Sequence, residues 1–431
     1  MKFAMFTPIA AQSAIGKVAS LTVNALLARG HDVAVVGADS SLPTKELTHD
    51  FPVPLLSWQD TAKVERLLAN VDLCIYQIGD CLGFHRGCLE WLPKAPGVIC
   101  LHDFFVGNLF QGWCHASGTP PQSIIRHWYG NEVVELVLKS VASELFYQET
   151  HSIAPMTEWV SSLGLGVLTH SSWGVESVLR GCPGPVAVTP LCYEPHLTIQ
   201  QEHEKSNSDQ VFRIATLGSM NPNKRASSVI QAIGQSTRLR DSTEYRLVGA
   251  ISDSMRQLLV SQARCQRVCL RVDGAVDSDT FCDAIQNTDA ICCLRWPALE
   301  AGSASLIEAM LHGKATLVTD TGAYAEVADD CVVKISQERE IDEIQAALER
   351  LFENAKAREE LGARARAYAV QNYAPEKYAD SLLQLSDQVL ASAPRLKALT
   401  ALSQTAFSWG ATSEMLRHPK LTEPLRILER D

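Results

Sequence analysis

Short apolar segments rich in β-branched residues recur along this chain, each followed by sequence of helical character. KFAMFTP (2–8), DVAVVGAD (32–39), VDLCIYQIG (71–79), APGVICLHD (95–103) and LGVLTHSS (165–172) form a first series. Strands without polar alternation are buried on both faces, the pattern of a parallel sheet covered by helices. Residues 20–29, closed by Gly30, read as the helix of the first βαβ unit. The polar run QQEHEKSNSDQ at 200–210 interrupts the alternation and reads as a linker. A second series follows: VFRIATLG (211–218), EYRLVGA (244–250), VCLRVDG (268–274), AICCLRW (290–296) and ATLVTD (315–320). From about residue 341 the sequence turns helical. The expected fold class is α/β, with two doubly wound Rossmann-like domains facing across a cleft. They cover 1–199 and 211–375, and 376–431 forms a C-terminal helical extension.

Composition narrows the partners. A chain of 431 residues exceeds one ordinary core, which supports the two-domain reading. The formal net charge of −11 offers no field for a nucleic-acid backbone, although local basic patches still permit contact with anionic lipid. No apolar run approaches the ~20 residues of a membrane span. Pro8, Gln12 and Ser13 interrupt the first apolar run, which reads as a strand and loop rather than a signal peptide. The 13 cysteines are odd in number, lie in apolar stretches and lack metal spacing, so buried reduced thiols in a cytoplasmic protein are expected.

The segment PALEAGSASLIEAMLHGKATLVTDTGAYAE (297–326) carries the most chemistry. Glu300 precedes the small-residue turn Gly302-Ser303-Ala304-Ser305, which opens a helix with Glu308 just over one turn inside. A helix start points free N–H groups and a positive dipole end outward, a seat for a diphosphate. A carboxylate one turn in can accept hydrogen bonds from a ribose diol. The same spacing also fits a capped helix with two solvent-facing glutamates, and the residues alone leave both readings open. Asp320-Thr321-Gly322 is a turn, since an aspartic-protease dyad needs a second such triplet. Asp277-Ser278-Asp279 stands before a helix and reads as an N-cap rather than a metal site.

This segment resembles the Glu-x7-Glu signature of retaining glycosyltransferases of the GT-B fold (glycosyltransferase family 4-like, glycosyl transferases group 1). RIATLGSMNPNKRASSVIQAI (213–233), YRLVGA and VDGAVDSDTFCDAIQNTDAICCLRWP resemble the family's preceding strands and loops in the right order, and GKATLVTDTGAYAEV resembles the stretch after it. Residues 1–175 match more loosely, through the Gly16 loop, Leu101-His102-Asp103 and THSSWGVESVL. The resemblance implies a nucleotide-sugar donor and transfer to a glycan or lipid-linked acceptor with retention, without a metal cofactor, in polysaccharide biosynthesis at the inner face of the membrane. GDP-mannose or a UDP-sugar is the implied donor. Glu308 would bind the ribose, Glu300 the donor sugar, and Lys224, in the loop after Gly218, the diphosphate. His102 matches the histidine that faces the transferred sugar, and Gly16 with its neighbours matches the loop near the phosphates. Gly302, Ser303 and Ala304 supply the helix start.

The chain departs from the family at Ser219, where an arginine usually follows the loop glycine. Arg225 or Arg295 would supply that charge instead. Ala301 and Ser303 stand where glycines are frequent. Two alternatives stay open at this stage: a nucleotide-sugar 2-epimerase of the same architecture, and a non-catalytic GT-B-like binding subunit. Lys224 is expected in an exposed loop, and donor binding is expected to draw the two domains together.

Overall fold

The structure, a computed structural model, describes residues 1–41, 43–44, 47–141, 143, 146–195, 211–412, 415 and 418–420. The linker expected at 200–210 lies outside the described residues. The apolar segments form two sheets in which every strand pair is parallel. The first contains β1 (Lys2–Thr7), β2 (Asp32–Gly37), β3 (Leu55–Ser57), β4 (Leu73–Ile78), β5 (Val98–Leu101), β6 (Gly166–Thr169) and β7 (Val186–Val188), in the order β3-β2-β1-β4-β5-β6-β7. The second contains β8 (Phe212–Leu217), β9 (Thr243–Val248), β10 (Cys269–Gly274), β11 (Ala290–Cys293), β12 (Ala315–Thr319) and β13 (Val333–Ile335), in the order β10-β9-β8-β11-β12-β13. All six residues of β4 and all four of β11 are buried, as expected for strands covered by helices on both faces. In each sheet the strand order reverses beside the first strand, β1 or β8. Loops leaving a sheet at such a switch point diverge and open a crevice at the C-terminal ends of the strands.

Local chemistry fixes the helices that border this crevice. The helix Ala14–Ala28 starts at Ser13, whose side chain accepts from the Gly16 N–H, and the left-handed Gly30 (φ 77) follows its end. The helix Ala304–Leu311 is capped in the same manner by Ser303, which accepts from the Leu306 N–H.

The last long helix, Pro375–Ser408, leaves the second domain and packs on the helix Ala14–Ala28 and on β6 and β7 of the first. Arg29 Nε lies 2.6 Å from Asp380 Oδ1 at this contact. Tyr378, Leu382, Leu385 and Val389 of the long helix join Val18, Leu26 and Leu168 of the first domain in one buried cluster. The same cluster takes in Leu306, Ile307, Met310 and Tyr324 of the second domain, so apolar packing is continuous across the domain boundary. Among the described residues no helix is long and apolar enough to cross a membrane.

Candidate active site

The loop after β5 meets the loop after β11 through the main chain. Asp103 and Glu300 form an isolated antiparallel bridge. The Ala301 N–H donates to His102 O at 2.8 Å, and the Phe104 N–H donates to Leu299 O at 2.8 Å. Backbone groups that one domain leaves unpaired are thereby satisfied by the other. This contact brings His102 and Glu300 together although 198 positions separate them in the sequence (300 − 102).

Cations gather on the second domain's side. Arg295, two residues beyond β11, is 4% exposed, with Nε 3.1 Å from Glu300 Oε1 and Nη2 3.2 Å from Ser305 Oγ. The Tyr324 hydroxyl donates to the same Glu300 oxygen. Burial opposes the Arg295 charge, but Tyr324 and Glu300 outweigh it and hold the guanidinium above its ordinary value. Lys224 closes the one-turn 3-10 helix Pro222–Lys224, and it corrects the expectation of an exposed loop lysine. It is 6% exposed, and its ammonium donates to Leu217 O. Burial, then the Arg295 charge, pushes it down to about 7. Gly218 makes this position possible. Its φ is 82, and a Cβ there would stand 2.6 Å from Lys224 Nζ. Only glycine both adopts this backbone without strain and leaves room for the ammonium.

Other expected residues fall in different places. Arg225 (φ 58) turns its guanidinium to Glu340, with contacts of 2.6 and 2.8 Å, and the same carboxylate accepts from Ser228 Oγ at 2.7 Å. The structure therefore does not bring Arg225 into the cluster of Arg295, Glu300 and Lys224. The space beside Gly16 is filled, since a Cβ there would stand 2.6 Å from His49 Cδ2 and 2.7 Å from Pro8 O. Its neighbour Lys17 reaches across the domain boundary instead, placing Nζ 2.5 Å from Glu308 Oε1. Ser303 and Ala304 stand at the helix start as expected. Gly302 marks a close approach of the domains, because a Cβ there would meet Leu191 Cδ1 at 2.9 Å and His170 Cβ at 3.2 Å.

His102 Nε2 lies 2.7 Å from Gln77 Oε1, and its ring centroid is 4.5 Å from that of His170. Burial, then His170, pushes His102 well below its ordinary value, so the ring is neutral. Asp103 is not its partner. That carboxylate accepts from the Asp80 N–H at 2.8 Å and is pushed up to about 7 by burial and, less strongly, by Glu300. Sequence reasoning missed His170, Tyr324 and Glu326, and it placed Lys17 only as a neighbour of Gly16. Glu326 accepts from the Ser172 N–H at 2.8 Å and the Trp173 N–H at 2.9 Å, a second link between the domains. None of these residues carries a spacing that would have marked it. A cavity of about 110 Å3 lies at the helix start, bordered by His170, Ser171, Gly302, Ser303 and Tyr324 among others. Small-molecule sites usually measure ~300–1,000 Å3, so entry of a nucleoside diphosphate requires the domains to part.

Residues 198–368 match the family model described as glycosyl transferases group 1. Comparison with curated proteins by sequence gives no match. Among solved structures, the chain is similar to Anabaena Alr3699/HepE in complex with UDP, at TM-score 0.57 and 14% identity, covering 89% of this chain and 99% of that one. It is similar to WaaG, a glycosyltransferase involved in lipopolysaccharide biosynthesis, at TM-score 0.56 and 16% identity, with 88% and 98% covered. For the sucrose-phosphate synthase of Thermosynechococcus elongatus the TM-score is 0.61 and the identity 13%, with 91% and 100% covered. At such identities the likeness is one of fold. Two parallel sheets meeting at their C-terminal ends and the match over 198–368 lead to one conclusion: this chain has the GT-B fold, and its residues 198–368 resemble the glycosyl transferases group 1 family.

Proposed function

We propose that this chain is a retaining hexosyltransferase, which moves a sugar from GDP-mannose or a UDP-sugar to a hydroxyl of a glycan or lipid-linked acceptor at the cytoplasmic face of a membrane. The observation that carries the reading is the convergence of Arg295, Lys224 and Glu300 at the start of the helix Ala304–Leu311, against His102 of the other domain. Loss of a nucleoside diphosphate leaves negative charge on the departing phosphate. Lys224, Arg295 and the helix start offset that charge in a site poor in water, which is electrostatic catalysis without a covalent step by the protein. With these cations available, transfer needs no divalent metal. Glu300 and His102 hold the sugar, and Glu308 takes the ribose once Lys17 gives way. UDP in the Anabaena structure supports a nucleotide partner.

A melting-temperature screen against UDP, GDP, ADP, TDP and CMP, followed by transfer assays with and without EDTA, tests this reading. One nucleotide should raise the midpoint through binding to the native state alone, and transfer should continue in excess EDTA. Activity lost in EDTA and restored by Mn2+ would overturn metal independence. A non-catalytic subunit is the second reading. It is favoured by Glu308 and Glu300 being engaged by Lys17, Arg295 and Tyr324, and it expects no nucleotide to move the midpoint.

A further inference from the structure

The cavity at the helix start is bounded on the first domain's side by His170, at the end of β6. This residue is 5% exposed. Its Nδ1 lies 3.2 Å from Thr189 O, whereas its Nε2 is buried and has no hydrogen-bond partner among the described residues. A carbonyl oxygen only accepts, so Nδ1 carries the proton. Burial keeps the ring neutral by pushing it down to about 4. Nε2 therefore presents a lone pair, and a buried acceptor left without a donor is unfavourable.

The opposite side of the cavity has the reverse demand. The helix start offers N–H groups beside Ser303, and the Glu326 carboxylate that also borders the cavity is already taken up by the Ser172 and Trp173 N–H groups. Phosphate oxygens suit that side and are repelled by Nε2, because at neutral pH they too only accept. A hydroxyl suits Nε2. Gly302 lets the two sides approach closely, since any side chain there would press on Leu191 and His170. A molecule carrying a hydroxyl close to a phosphate satisfies both sides, and the sugar of a nucleotide sugar has that arrangement.

We propose that His170 Nε2 accepts a hydrogen bond from a ring hydroxyl of the donor sugar, which makes His170 a specificity-determining residue for sugars that carry a hydroxyl at that position. The inference rests on the nucleotide-sugar reading above. Calorimetry with UDP, UDP-glucose, GDP and GDP-mannose on the parent, His170→Phe and His170→Gln tests it. His170→Phe should leave affinity for the bare nucleoside diphosphate within about twofold and weaken the matching nucleotide sugar by about tenfold, the usual scale for one lost hydrogen bond. His170→Gln, which keeps an acceptor oxygen, should recover part of the loss. One monodeoxy analogue of the sugar should bind parent and His170→Phe equally, because the pair then has nothing left to lose. His170→Asn, too short to reach, replaces the Phe variant should that fail to fold. Equal effects on nucleotide and nucleotide sugar, or no effect on either, would overturn the proposal and leave Nε2 to a structural water. No binding of any of the four probes by the parent would instead sink the nucleotide-sugar reading, and this inference with it.

Discussion

An ammonium held near pKa 7 beside a guanidinium responds to the charge of whatever arrives. A diphosphate at the helix start would restore the proton to Lys224, so binding above pH 7 should take up a proton from solution. Calorimetry at pH 8 in buffers of different ionisation enthalpy should register that uptake. Affinity should fall by up to about tenfold for each pH unit above 7, and a pH-independent affinity with no proton uptake would remove Lys224 from the site. Stability carries the opposite sign from an ordinary salt bridge. The folded value near 7 lies below the unfolded 10.5, so Lys224 is a full burden below pH 7, and the burden fades as the pH rises toward 10.5. Lys224→Met should therefore raise the melting temperature more at pH 6 than at pH 9, while lowering kcat by ~10²-fold or more. Thermal scans at the two pH values check the first part and turnover the second; a melting temperature lowered equally at both would refute the burial argument.

At the scale of the element, the helix Ala304–Leu311 joins what the sequence made legible to what it did not. Its start was readable because a small-residue turn before an apolar run opens a helix, and the structure caps that helix with Ser303. Ser303→Ala should cost about 1 kcal/mol in urea unfolding, and an unchanged midpoint would show that the cap contributes nothing. Most strands were readable for a similar reason, since burial on both faces leaves no polar alternation to misread, but the three-residue strands β3, β7 and β13, only partly buried, were not. Pairings across the domain boundary were not. Arg225 is one residue from Lys224 in sequence, yet its backbone sits in the left-handed region and sends the side chain to Glu340. Lys17 reaches Glu308 only because two domains meet, and no periodicity encodes a contact between residues 291 positions apart. His170 was hidden in a run read as plain strand, where its unpartnered nitrogen becomes visible only once Thr189 is seen to take the other.

For the whole molecule, the contacts between domains set the order of events. Lys17 with Glu308, Ser172 and Trp173 with Glu326, and the main-chain bridge at Asp103 and Glu300 all release when the cleft opens. Lys17→Ala removes one of them. Small-angle scattering should report a larger mean radius of gyration for this variant, and nucleoside diphosphate affinity should rise several-fold because the competent open form is more populated. Unchanged scattering would sink the idea that the pair holds the domains together. The long helix Pro375–Ser408 imposes a different constraint, on timing. Its apolar residues complete the packing around Val18, Leu26 and Leu168, which leave the ribosome at the other end of the chain. At roughly 5–20 residues per second, the first domain would wait roughly 10–40 s with that apolar face uncovered while the second domain is being made. Its nascent form therefore keeps an apolar face uncovered during synthesis, and the chain acquires its final fold only after its last long helix has emerged.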